Sequence, residues 1–192
     1  MRSYNYLLGA TFYKKMSSLS SSFRSEEPEV ARNISGYEIR GEIGQGSFGK
    51  IFLGVNQDNE KVAIKKERKN HRFSSLLLEA NIYREIGVNQ GVPRLAFYVR
   101  DDETSYLGVE LLGPNITKLM NYLKKQTLSL KPVLMIADQL LTILQIIHNK
   151  SFIHCDIKPE NLVIGQKHKS NFIYLIDYGL TKRYRDPITL EH

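Results

Sequence analysis

Apolar residues recur along this chain at two spacings. Between Tyr37 and Glu67 the spacing is two: Ile51, Leu53 and Val55 fall on one face of an extended run, as a strand requires. A turn at Asp58-Asn59 leads into a second alternating run, Val62 to Lys65, so the pair predicts a hairpin. The spacing then changes. In "SSLLLEANIYREI", Leu76, Ile82/Tyr83 and Ile86 mark one face of a helix, with Glu79 on that same face. A second hairpin follows in "LAFYVRDDETSYLGVELLG", and a linker at Gly113-Pro114 ends it. Two further helices are expected, a short one in "NITKLMNYLKK" and a longer one over 131–149. The longer has Pro132 near its start and a stripe of Leu134, Ala137, Leu141, Leu144 and Ile147 that is expected to be core. Phe172 to Ile176 predicts a buried strand. Strands followed by helices give an α+β fold.

Composition narrows this only slightly. The chain has 192 residues, 42% of them hydrophobic, enough for one good core or two small lobes. No apolar run is expected to reach the length of a membrane span, so no transmembrane role is expected. The single cysteine excludes an internal disulfide and fits a reducing compartment, cytoplasmic or nuclear. A formal charge of +7 favours anionic partners or reflects a solvated basic surface. Residues 1–35 are rich in Ser and Tyr, with no acid before Glu26. That composition resembles a transit peptide, but a disordered tail, or a start at Met16, is expected. No internal repeat is visible.

The candidate chemistry begins in the first hairpin. Gly44, Gly46 and Gly49 have the G-x-G-x-x-G spacing. A dinucleotide fingerprint with this spacing opens a helix, whereas here a strand follows. The glycines therefore sit at a bend between strands, where a backbone without side chains can close over phosphates. Ile43, Ile51 and Ala63 would supply apolar surface for a flat base. Lys65 shares a strand face with Ala63. An inward lysine needs a partner, and Glu79 on the apolar face of the helix offers one. In "HCDIKPEN", Asp156, Lys158 and Asn161 lie within one loop that Pro159 keeps from being helix or central strand. The buried strand after it delivers Asp177 just before Gly179. Asp and Asn oxygens suit Mg²⁺, so Asn161 and Asp177 are the candidate metal ligands. Asp156 can accept a proton from a hydroxyl, and Lys158 can offset charge on a transferred phosphoryl group.

Taken in order, these residues resemble a eukaryotic protein kinase over about residues 36–192. The stretches "IGQGSFGKIFLG", "VELLGPNI", "LMIADQLL", "FIHCDIKPENLVIG" and "IDYGLTKRYRDP" resemble the casein kinase 1 family most closely. The vaccinia-related kinases, which share the Asp-Tyr-Gly form, are the second resemblance. What the resemblance implies is a two-lobed fold. Residues 36–112 would form an antiparallel N-lobe with one helix, and 113–192 a mostly helical, incomplete C-lobe. It also implies a monomeric serine/threonine kinase that uses ATP and Mg²⁺ on acidic or already phosphorylated proteins. The glycine loop would be Gly44, Gln45, Gly46, Ser47, Phe48 and Gly49. Val109 would be the gatekeeper, Glu110 to Leu112 the hinge binding adenine, and Val163 and Ile176 the surface beneath the base.

Two departures qualify this. Cys155 stands where these families usually carry arginine, and is expected to be a small, partly buried substitution without chemistry of its own. His154 is expected to pack against the Asp177 segment. The sequence also ends at His192, with no A-P-E motif. A truncated, non-catalytic nucleotide-binding or scaffold relative is therefore the competing expectation, with an apolar patch exposed on the helix over 131–149. A nucleic-acid binder has no motif behind it.

Overall fold

A computed structural model describes residues 33–46, 49–68 and 74–192. Strands β1 (Asn33–Ile34), β2 (Tyr37–Gly46), β3 (Gly49–Val55), β4 (Lys61–Arg68), β5 (Leu95–Arg100) and β6 (Thr104–Glu110) form one antiparallel sheet in the order β1-β2-β3-β4-β6-β5. The sheet starts at Asn33, ahead of the expected residue 36, because Ile34 buries itself beside Val62, Ile64, Phe97 and Tyr106. The rest of the expected tail, residues 1–32, lies outside the described residues. Alternation in β4 separates two faces. Val62 and Ile64 enter that smaller cluster, while Ala63 packs on the opposite side with helix α1 (Ser75–Ile86). Ser74 caps α1, its hydroxyl accepting from the Leu77 N–H.

Beyond Glu110 come α2 (Ile116–Tyr122), capped by the Asn115 side chain, and α3 (Leu130–Asn149). Two small hairpin-like pairs follow: β7 (Phe152–Ile153) with β10 (Lys182–Arg183), and β8 (Leu162–Ile164) with β9 (Ile173–Leu175). The β9 strand is shorter than the expected Phe172–Ile176, because pairing extends only over the three residues opposite β8. One continuous core joins everything on the α1 side of the sheet. It runs from Leu76, Ala80 and Tyr83 through Leu107 and Val109 to Ile143, Ile147, Leu175 and Tyr178.

The α3 helix differs from expectation in its rotation. Ile143 and Ile147 are buried, with Ile136, Leu140 and Leu144 packed beside them. Leu134 and Leu141 are instead 57% and 68% exposed, and Ala137 is exposed too. The helix is apolar nearly all round its circumference, so spacing alone did not choose which stripe meets β7 and β9. By length and composition alone α3 is long and apolar enough to cross a membrane, contrary to the expectation that no run would be. A core helix passes the same test, and Ile143 and Ile147 of α3 lie in the core.

Candidate active site

Directly opposed residues in an antiparallel sheet project to the same face. The register places Gly44, Ile51, Lys65 and Leu107 in one row across the sheet, and Leu53, Ala63 and Val109 in the next row of that face. Ile43 sits at an irregularity between Glu42 and Gly44, where β2 slips register against β3. Gly46 pairs with Gly49 at the bend; Ser47 and Phe48 lie outside the described residues. Gly49 has φ +153, and a Cβ there would come within 2.1 Å of the Lys66 carbonyl oxygen. Only glycine fits that approach.

Lys65 therefore points from the sheet toward α1. Its Nζ donates to Glu79 Oε1 at 2.7 Å and Oε2 at 2.9 Å, and to Asp177 Oδ1 at 3.0 Å. Glu79 is wholly buried. Burial alone would suppress the charge on Lys65, but the carboxylates of Glu79 and Asp177 outweigh it and raise its pKa above that of an ordinary lysine. Burial is the largest influence on Glu79 and raises its pKa above the ordinary carboxylate value, with the Lys65 ammonium opposing that rise.

The loop after β7 gathers the other group. Lys158 Nζ donates to Asp156 Oδ2 at 2.7 Å, and the Asn161 amide nitrogen donates to the same oxygen and to the Asp156 carbonyl, both at 2.8 Å. The Lys158 hydrogen bond is the main reason the Asp156 pKa lies below the usual carboxylate value. Because its nitrogen is committed to Asp156, Asn161 keeps its amide oxygen for another partner. The β8–β9 pairing holds the two groups together: Leu162 opposes Leu175, and the Ile176 N–H donates to the Asn161 carbonyl at 3.0 Å. Continuing that register, Val163 and Ile176 share a face of the hairpin.

His154 behaves as expected. It is buried, its ring lies edge-on to Tyr178 at 4.9 Å, and Nε2 contacts the Ile176 carbonyl at 3.1 Å. The Asp156 N–H donates to Nδ1 at 3.3 Å, so Nε2 carries the proton. Cys155 departs from expectation, being exposed, with φ +64. Its backbone turns left-handed just before Asp156, and the side chain is turned out to solvent. Asp177 is left-handed too, at φ +69. Such conformations concentrate where the surrounding structure fixes functional groups.

Three features of the site had little sequence signal. The Lys65–Asp177 contact spans 112 positions. Tyr178 donates its N–H to Glu79 Oε1 at 3.3 Å and stacks edge-on against Tyr83 at 4.9 Å. Only Tyr83 was traceable, since it lies one helical turn after Glu79.

The protein kinase domain family matches residues 37–192. The chain belongs to the protein kinase family. Its fold is accordingly the α+β kinase fold, with an antiparallel sheet and few helices. Kinases use ATP and a divalent metal and act on proteins, and the residues present fit both co-reactants. Among the described residues no cluster of three metal-binding side chains exists. Independently of that, the side-chain oxygens of Asn161 and Asp177, brought near each other by the Ile176 N–H to Asn161 carbonyl bond, are of the type that suits a hard ion.

Proposed function

We propose that this kinase is a serine/threonine protein kinase of casein kinase 1 type, acting as a monomer in the cytoplasm or nucleus on acidic or already phosphorylated proteins. The observation that carries a phosphotransfer site is the convergence of Lys65, Glu79 and Asp177 within 3.0 Å, tied through β8–β9 to Asp156, Lys158 and Asn161. The casein kinase 1 assignment itself is supported by the sequence stretches that resemble that family.

Bound ATP supplies the γ-phosphoryl group, and Mg²⁺ offsets the charge of its phosphates. Lys65, positioned by Glu79, holds phosphate oxygens, and the glycine bend from Gly44 to Gly49 covers them with backbone N–H groups. Ala63, Val109, Val163 and Ile176 enclose the base, and Glu110 to Leu112 read its edge. Asn161 and Asp177 hold the ion. Asp156 receives the hydrogen bond of the Ser or Thr hydroxyl and takes its proton as transfer proceeds. With its pKa depressed, Asp156 is a weak base, so its larger contribution is orientation of the hydroxyl. Lys158, bonded to the same carboxylate, offsets charge on the group in transit.

The test is Asp156→Asn, assayed on an acidic, phosphate-primed peptide alongside nucleotide binding. Transfer should fall by roughly 10²–10⁴-fold with ATP affinity little changed. Equal activity in the variant would remove Asp156 from the mechanism. Tight nucleotide binding with no transfer by the wild type would identify a non-catalytic nucleotide-binding relative.

A further inference from the structure

Strand β4 turns every second side chain toward α1, so Lys65 and Glu67 share the face that carries Ala63. Lys65 reaches Glu79 in the second turn of the helix, and Glu67 reaches the helix N-terminus. Glu67 Oε2 accepts from the Ser74 hydroxyl at 2.6 Å. Its Oε1 accepts from the Ser75 hydroxyl at 2.5 Å and from the Ser75 N–H at 3.3 Å. Ser74 has one hydroxyl proton to give, and it goes to Glu67. The lone pairs of the same oxygen are left for the Leu77 N–H, at 3.4 Å. Glu67 thus orients the cap of α1 as well as holding its first residue, and its carboxylate lies where the helix dipole favours negative charge.

The two contacts are in step. Lys65 and Glu67 are two residues apart on an extended strand, a rise of about 6.8 Å. Ser75 and Glu79 are four residues apart on one face of a helix, a rise of about 6 Å. Strand and helix run in opposite senses, so Glu67–Ser75 and Lys65–Glu79 close together. Rotating α1 by one residue, about 100°, would break both. The first turn has little else to hold it. Leu76 is buried, but Leu77 and Leu78 are exposed, whereas the C-terminal half is anchored in the core by Ile82, Tyr83 and Ile86.

Resting on the reading of Lys65 as the residue that holds phosphate oxygens, we infer that Glu67 is a positioning residue for that site. It clamps the N-terminal end of α1 to β4 at the height and rotation that deliver Glu79 to Lys65. Without it the helix keeps its core anchor, but its first turn is free to swing from the sheet. The Lys65 ammonium then loses its fixed partner in a fraction of the molecules, and apparent affinity for a polyphosphate falls by that fraction.

Calorimetric titration of the full chain with Mg-ADP tests this as a double-mutant cycle, with melting curves as the control for folding. Glu67→Ala should weaken binding by about fivefold, the value of one hydrogen bond. In a Lys65→Met background the same substitution should change affinity by less than about twofold, because its effect travels through Lys65. A Glu79→Gln background gives the same comparison where Lys65→Met binds too weakly to titrate. Glu67→Gln keeps the side-chain length and one acceptor oxygen, and should give a smaller loss of the same sign; it decides the matter if the alanine variant does not fold. Ser75→Ala, which removes a hydroxyl from the other side of the clamp, should also weaken binding. Equal losses in both backgrounds would mark a general effect on the fold and overturn the positioning role, as would folded Glu67 variants that bind like the wild type. A Lys65→Met chain that binds Mg-ADP as tightly as the wild type would instead overturn the phosphate-holding role of Lys65, and the inference with it, as would a wild-type chain that does not bind.

Discussion

Tyr178 is fully enclosed, its ring edge-on to both Tyr83 and His154, yet its hydroxyl has no hydrogen-bond partner among the described residues. Burial also pushes its pKa well up, so the group stays an unpaired donor. An unmet buried donor costs about 1–3 kcal/mol. Tyr178→Phe should therefore raise the unfolding free energy by about 1 kcal/mol in urea titrations; a fall would reveal a hydroxyl partner. Glu79 presents the opposite case. Glu79→Ala strands the Lys65 ammonium with Asp177 alone and should cost about 3 kcal/mol, the low end for breaking a buried pair, with ADP affinity falling in parallel. His154 sets a pH dependence. Burial lowers its pKa below the ordinary histidine value, so the unfolded chain takes up the proton more readily than the folded one. Its contribution is complete above about pH 6.5 and is lost as pH falls from there through the folded pKa. The acid limb of the stability profile should flatten in His154→Phe, which keeps an aromatic ring against Tyr178 but cannot titrate. The residue types of the site were legible in the chain because phosphate and metal chemistry restricts them to few side chains. Tyr178 as an unsatisfied group was not, since satisfaction depends on neighbours that are distant in sequence.

At the scale of elements, the β2–β3 bend depends on Gly49. A methyl group there meets the Lys66 carbonyl oxygen, which belongs to backbone held in the β3–β4 ladder and cannot move aside. Gly49→Ala should lower stability by about 1–3 kcal/mol through strain and overpacking, and weaken nucleotide binding as the bend shifts. Unchanged binding would separate the bend from the phosphate site. Helix α1 was readable because its apolar positions fall on one face with a single acid among them, and that face is the buried one. Helix α3 was readable as a helix but not in its rotation. Leu134, Ala137 and Leu141 make as good a stripe as Ile136, Leu140, Ile143 and Ile147, and only packing on β7 and β9 distinguishes them.

Across the whole molecule, that rotation leaves Leu130, Leu134 and Leu141 at 71%, 57% and 68% exposure along one side of α3. Contiguous apolar surface of this kind binds hydrophobic dyes and promotes association. Replacing Leu134 and Leu141 by Lys should reduce dye fluorescence without lowering the melting temperature, because neither side chain belongs to the core. A lower melting temperature would show that the pair is buried in solution. Arg183 joins the two parts of the molecule at another point, stacking 4.4 Å from the Phe152 ring and pairing with Glu85 on α1 at 2.5 Å. This pair is largely exposed, and exposed pairs contribute little to stability.

By itself the sequence determined the strands and helices, and the residues able to do phosphate and metal chemistry. Side-chain period follows from backbone geometry, and few residue types can hold a phosphate or a hard ion. It paired Lys65 with Glu79 for the same local reason, since each was a charge on an apolar face. The tertiary structure decided what depends on distant contacts. It brought Asp177 to Lys65, turned Cys155 outward through a left-handed backbone, and chose the face of α3 that enters the core. It also set Gln166 against the Leu112 carbonyl and Lys169 against Glu110, on the bridge between the two parts of the fold. No local pattern encodes a hydrogen bond between residues 54 or 59 positions apart, because it exists only once the core has brought the β8–β9 loop beside the end of β6.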